Sequence, residues 1–143
     1  MLIPETELLQ YIHKMTDMGC EGINSVLGYT ENIQLKKTLE NQLSEYENLR
    51  KKAAEMLSRR GEKAIDAGAI ARMSSGIMAV GKLMIDRSDS KIAEMTIQGN
   101  NMGVNKTLKH LHDYSGEDKE VKNLTEKLLA TEEKNVEQLK VFL

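Results

Sequence analysis

The sequence has few of the residues that build disulfide scaffolds, base-stacking platforms or membrane spans. Its 143 residues include one cysteine, one proline, one phenylalanine and no tryptophan. A single cysteine cannot form an internal disulfide or a thiolate metal cluster, which suits a reducing compartment. No uncharged apolar stretch approaches the length of a membrane span, and no basic segment precedes an apolar run at the N-terminus. We therefore expect a cytoplasmic protein that does not associate with membranes.

Charge of neither sign dominates. Twenty Lys and Arg residues face 22 Asp and Glu residues, which gives a formal net charge of −2. No overall field therefore favours phosphate backbones or anionic lipids. Basic residues cluster locally at 50–52 and 59–60, but the aromatic side chains that stack on bases are scarce. We expect no nucleic-acid partner.

Helical periodicity is what the sequence has in abundance. Apolar residues recur at helical spacing over about residues 5–27, from the turn GYTEN at 28–32 to Arg59, and over about 90–113 and 117–142. A further helical pattern, rich in Ala, Gly and Met, occupies about residues 62–87. No segment has the alternation of a strand. A chain of this length fits one domain, so we predict a single all-α bundle domain over residues 1–143.

The third main helix, near residues 90–113, has two possible inner faces. Its stronger stripe holds Ala93, Ile97, Val104, Leu108 and Leu111. A thinner stripe of Ile92, Thr96, Gly99 and Gly103 is flanked by Met95 and Met102. Small residues four apart allow another helix to approach closely, and methionine adapts to partner helices. We predict a close-packing or interaction face made by Met95, Gly99, Met102 and Gly103, and we expect the Met-rich segment 69–86 to pack there.

Polar residues interrupt the apolar stripes. Glu132 stands in the middle of the apolar face of the last helix. If the 62–87 helix returns the chain along the bundle, the second and third helices run parallel, and the polar positions fall at one height. We predict a buried polar layer of Gln42, Tyr46, Asn100, Glu132 and Asn135. The Glu132 carboxyl is expected to bond Gln42, Asn135, Tyr46 or a buried water, and to have a raised pKa if desolvation dominates.

This arrangement resembles the ferritin-like superfamily, four-helix bundles with a long crossover between helices B and C and metal ligands at mid-height. The resemblance implies Glu-x-x-His motifs on helices B and D. The corresponding stretches here are QLSE, with Gln42 and Glu45, and EEKN, with Glu132 and Asn135. The histidines are absent from both. The stretch IAEMTIQGNNMG also resembles uncharacterised bacterial bundles of this type.

No motif specifies a reaction, and we expect no cofactor. The first hypothesis is a non-catalytic bundle that acts through association with itself or a protein partner, its polar layer fixing helix register. The alternative is a carboxylate-rich metal or oxidase protein that uses Glu45 and Glu132. A small-ligand pocket at the same layer stays open as a third interpretation. Cys20 and the three histidines are expected to be structural or solvated residues.

Overall fold

The structure is a computed structural model that describes residues 2–65 and 86–143. Four α-helices form a bundle: α1 Glu5–Leu27, α2 Ile33–Arg59, α3 Asp89–Asp113 and α4 Lys119–Leu139. A short 3-10 helix, Lys140–Phe142, ends the chain. The described residues contain helices and no strand, so the predicted all-α fold is confirmed. The predicted helix in residues 62–87 lies almost entirely outside the described residues.

Side-chain caps set the starts of the last three helices. The Asn32 Oδ1 atom accepts from the Leu35 N–H of α2 at 3.0 Å, and the Ser88 hydroxyl accepts from the Lys91 N–H of α3 at 3.1 Å. The carboxylate of Asp118 accepts two N–H groups at the start of α4. Each side chain satisfies backbone donors that the helix leaves unpaired. These residues explain why the observed helix starts fall close to the predicted ones.

Contacts between the helix ends give their directions. The start of α2 meets the start of α3, where Asn32 Nδ2 donates to Asp89 Oδ2 at 3.0 Å. The start of α1 meets the end of α3, where the Ile3 N–H donates to the Asp113 carbonyl at 3.2 Å. At that same end Arg60, just after α2, pairs with Asp118, just before α4. Helices α2 and α3 therefore run parallel, and α1 and α4 run opposite to them.

The core is built from large apolar side chains on α1, α2 and α4. Fully buried members include Leu8, Ile12, Leu39, Leu57 and Leu128. The apolar stripe predicted for the last helix is buried along its whole length. On α1, the charged residue Asp17 is only 8% exposed, and it pairs with Arg50 at 3.0 Å.

The rotation of α3 differs from the stronger of its two predicted stripes. Its buried residues are Ile92, Ala93, Asn100, Gly103 and Thr107, which include more of the thinner stripe. Leu108 is 46% exposed, and Ile97, Val104 and Leu111 are half-buried. Asn100 and Thr107, on the inner face of α3, form hydrogen bonds across the bundle. This inner face is less apolar than the neighbouring face that carries Ile97, Val104 and Leu111.

Two further expectations concern the segment 69–86 and membrane spans. The packing of segment 69–86 on α3 falls on residues outside the described ranges. Across residues 2–65 and 86–143, no helix combines the length and the apolar run needed to cross a bilayer.

Candidate functional site

The centre of the bundle holds five polar side chains at positions where a helical core is normally apolar. Gln42 is 1% exposed, Glu132 is 2% exposed, and Tyr46, Asn100 and Asn135 are buried with them. Helices α2, α3 and α4 supply these residues. On α1, the glycine at position 19 leaves space for the Tyr46 ring. A Cβ atom on Gly19 would lie only 2.8 Å from the Tyr46 ring.

Glu132 is held by a hydroxyl relay that the sequence did not predict. Thr107 Oγ1 donates to Glu132 Oε1 at 3.0 Å, and Thr107 Oγ1 lies 2.8 Å from the Tyr11 hydroxyl. With Thr107 donating to the carboxylate, the Tyr11 hydroxyl donates to Thr107. The expected partners Gln42, Asn135 and Tyr46 do not bond Glu132 in the structure. The relay reaches from α1 through α3 to α4, so it joins three helices.

Gly103 is the reason that the Glu132 carboxyl fits against α3. A Cβ atom added to Gly103 would lie 1.6 Å from Glu132 Oε2, far inside van der Waals contact. The close approach predicted for Gly103 therefore exists, but the group that fills the space is a carboxyl of α4. Glu132 Oε2 accepts no hydrogen bond from the residues that the structure describes.

Burial changes the ionisation of this layer. Desolvation raises the pKa of Glu132 to about 7, although the hydrogen bond from Thr107 opposes the shift. Desolvation likewise raises the pKa of Tyr11 and of Tyr46, and the nearby Glu132 carboxylate adds to both shifts. At neutral pH, Glu132 therefore exchanges between its acid and its carboxylate while both tyrosines stay neutral.

A second hydrogen-bond network extends the polar layer toward the end of the bundle where α4 ends. The Tyr46 hydroxyl donates to Asn100 Oδ1 at 2.7 Å, and Asn135 Nδ2 approaches the same oxygen at 3.4 Å. Gln42 Nε2 donates to Gln138 Oε1 at 3.1 Å. Gln42 Oε1 and Asn135 Oδ1 are buried without a partner among the described residues. The polar layer thus consists of two hydrogen-bond networks, and Gln42 and Glu132 have separate partners in them.

A cavity of about 250 Å³ opens beside Glu132, between α1 and α3. Its walls hold methionines from both helices, including Met15, Met18, Met95 and Met102. Glu132, Tyr46 and Asn100 form its polar end, and Lys106 also lines it. Three of the four residues of the predicted interaction face, Met95, Gly99 and Met102, thus line this cavity, while Gly103 packs on Glu132.

The two carboxylates of the metal hypothesis lie in different places. Glu45 Oε1 pairs with Lys134 at 2.6 Å in the surface groove between α2 and α4, whereas Glu132 lines the cavity between α1 and α3. In residues 2–65 and 86–143, no three His, Cys, Asp or Glu side chains are grouped closely enough to hold a metal ion.

Among the remaining candidate groups, His110 lies in a different environment from the one predicted. His110 was expected to be solvated, but it is half-buried and stacks on Tyr11, with ring centroids 3.6 Å apart. His112 is exposed. Cys20 is buried, and desolvation raises the pKa of its thiol to about 11, so its thiolate is scarce at neutral pH.

Two residues that connect to the polar layer, Tyr11 and Thr107, are absent from the predicted layer. Tyr11 lies next to the apolar position Ile12, and Thr107 belongs to neither of the two predicted stripes of α3. The signal that could have found them is their side-chain chemistry, since hydroxyls on an inner face can satisfy a buried carboxylate. No protein-family model, curated protein or solved structure matches this chain.

Proposed function

We propose that this chain is a non-catalytic bundle of ferritin-like ancestry that acts by associating with a second copy of itself. The ancestry is supported by the parallel α2 and α3, which need a long connection, and by a polar layer near mid-bundle. Where that superfamily has Glu-x-x-His motifs, this chain has Gln42 with Glu45 and Glu132 with Asn135. Without imidazoles, and with Glu45 paired to Lys134, these groups serve helix register rather than metal chemistry.

The observation that carries the association is an apolar row on α3 that the bundle buries only in part. Ile97, Val104 and Leu111 are half-buried, and Leu108 is 46% exposed. At 100° per residue, this row lies roughly 180° around the helix from the methionine row that lines the cavity. Exposed apolar rows of this kind are typical of helix–helix interfaces.

The spacing of the row favours a second copy as the partner. Ile97 and Leu111 lie at equal distances along the sequence on either side of Val104, about two helical turns away. A two-fold antiparallel pairing of α3 helices would place Val104 against its own copy and Ile97 against Leu111 of the partner subunit. Such an arrangement is self-complementary, as a two-fold interface requires. The exposed Asn101 and Asn105 beside the row add no like charges near the axis.

Light scattering coupled to gel filtration tests this proposal. We expect the parent protein to be a dimer at micromolar concentration and Leu108→Glu to be a monomer with unchanged helical circular dichroism, because a carboxylate cannot be buried unpaired in the row. Met102→Glu is the matched control, since Met102 is 55% exposed on the opposite shoulder of α3, and it should remain dimeric. A monomeric parent would overturn the proposal. Dissociation by Met102→Glu but not by Leu108→Glu would overturn it too, and would assign association to the methionine row.

A further inference from the structure

We propose that the cavity between α1 and α3 binds a small organic monocation, an ammonium group on a compact apolar body, with the ammonium against Glu132. This inference goes beyond self-association and does not depend on it, because the cavity and the apolar row of Ile97, Val104, Leu108 and Leu111 lie on opposite shoulders of α3.

The polar end of the cavity needs a ligand that brings hydrogen-bond donors. The hydroxyls that line it already donate within the protein: Tyr46 to Asn100 Oδ1, Thr96 to the Ile92 carbonyl and Ser25 to the Gly22 carbonyl. Glu132 Oε2 accepts nothing from the described residues. The Glu132 residue is only 2% exposed, and a carboxylate that loses most of its hydration without a charge partner is costly. An ammonium group at the cavity would supply both a hydrogen-bond donor and the opposite charge.

Size and shape restrict the rest of the ligand. A volume of about 250 Å³ corresponds to roughly eight waters at about 30 Å³ each, which is small for a ligand pocket. Thioether side chains of Met15, Met18 and Met95 are apolar and adapt their shape to a guest. Lys106 also lines the cavity, so a second positive charge on the ligand would be repelled. A single amine with a short alkyl or aryl body fits these conditions.

The ionisation of Glu132 makes the binding proton-linked. The pKa of Glu132 is raised to about 7 by burial, so the carboxylate form that attracts an ammonium increases from pH 6 to pH 8. Primary alkylamines stay protonated over this interval, as the lysine side chain does. At the polar end of the cavity, Glu132 therefore changes its charge in this window, whereas Tyr46, whose pKa burial raises, stays neutral. The Lys106 side chain, from α3, also lines the cavity.

Isothermal titration calorimetry with 2-phenylethylamine tests the proposal, with 2-phenylethanol as its uncharged analogue. At pH 8 we expect the amine to bind at least tenfold more tightly than the alcohol, and we expect its affinity to fall about tenfold at pH 6. Glu132→Gln should weaken amine binding at least tenfold. Glu133→Gln is the matched control, because Glu133 is the exposed neighbour, and its affinity should equal that of the parent.

Gly99→Leu provides a second variant that leaves Glu132 intact. Gly99 lines the cavity, and no atom of the described residues lies within 4 Å of a Cβ added there, so a leucine can fold into the cavity and fill it. It should abolish amine binding while the helical circular dichroism is retained. The proposal is overturned if millimolar amine gives no binding heat with the parent, if the alcohol binds as well as the amine, or if either Glu132→Gln or Gly99→Leu binds the amine like the parent.

Discussion

At the scale of the residue, Glu132 shows how burial sets the ionisation of a carboxyl group. The side chain has one hydrogen-bond donor, Thr107, and one carboxyl oxygen without a partner among the described residues. A single neutral donor does not replace the solvation that an ionised carboxylate loses on burial. The pKa of Glu132 is therefore raised to about 7, and ionisation of this group opposes folding.

We expect Glu132→Gln to flatten the dependence of stability on pH. Because the folded pKa is raised above the unfolded value of about 4.5, the stability present with the neutral acid is lost as pH rises from about 4.5 to 7 and stays lost above that. Between pH 5 and pH 8, the parent should lose about 2 to 3 kcal/mol more unfolding free energy than the variant. Urea denaturation at both pH values measures the difference.

Glu133→Gln is the control for the loss of a negative charge on the same turn of α4, because Glu133 is exposed, and it should keep the pH dependence of the parent. An unchanged pH dependence in Glu132→Gln would mean that the carboxyl at position 132 is not the group responsible.

At the scale of the element, the close approach of α3 to α4 depends on a glycine opposite a carboxyl. Gly103 has no side chain, and Glu132 Oε2 occupies the space that a Cβ atom would need. Gly99, one turn earlier on α3, is exposed and borders the cavity between α1 and α3. The two glycines therefore have opposite roles, although the sequence places them on one stripe of small residues.

We expect Gly103→Ala to lower the unfolding free energy by about 1 to 3 kcal/mol, because the added methyl overlaps the buried carboxyl of Glu132 and overpacks the α3–α4 contact. Gly99→Ala is the matched control in the same helix. It should raise the unfolding free energy by up to about 1 kcal/mol through helix propensity, since the described residues leave its Cβ in open space. Urea denaturation of both variants measures these changes. Equal effects of the two substitutions would contradict the assigned roles.

At the scale of the whole molecule, the helix directions decide which residues can share a layer. The starts of α2 and α3 meet through Asn32 and Asp89, so positions equally far into these two helices lie at equal heights. Tyr46 and Asn100 consequently meet near mid-bundle. If α2 and α3 ran antiparallel, a residue near the start of α2 would instead lie level with a residue near the end of α3.

Spin-label distances test this arrangement. With α2 and α3 parallel, labels at Lys37→Cys and Glu94→Cys should be closer together than labels at Lys37→Cys and Lys109→Cys, because residues 94 and 109 differ by about 22 Å of helical rise. All three positions are exposed, and the raised pKa of the buried Cys20 thiol favours labelling at the introduced cysteines. Double electron–electron resonance gives both distances, and the reverse ranking would contradict the parallel arrangement.

The sequence by itself determined the helices and most of the buried polar positions. Periodicity and capping residues such as Asn32, Ser88 and Asp118 act within a few residues of one another, so the predicted helix bounds lie close to the observed ones. The position of Glu132 in an apolar stripe likewise predicted its burial, because residues on one face of a helix share one environment.

The tertiary structure alone decided the rotation of α3 and the partners inside the layer. Helix α3 carries two competing faces, and periodicity does not choose between them when the more apolar one turns outward. The relay from Tyr11 through Thr107 to Glu132 joins residues that are 96 and 25 positions apart. Asp17 pairs with Arg50 across 33 positions. Such contacts depend on how helices pack, and the spacing of residues within a helix holds no information about which side chain of another helix will face them.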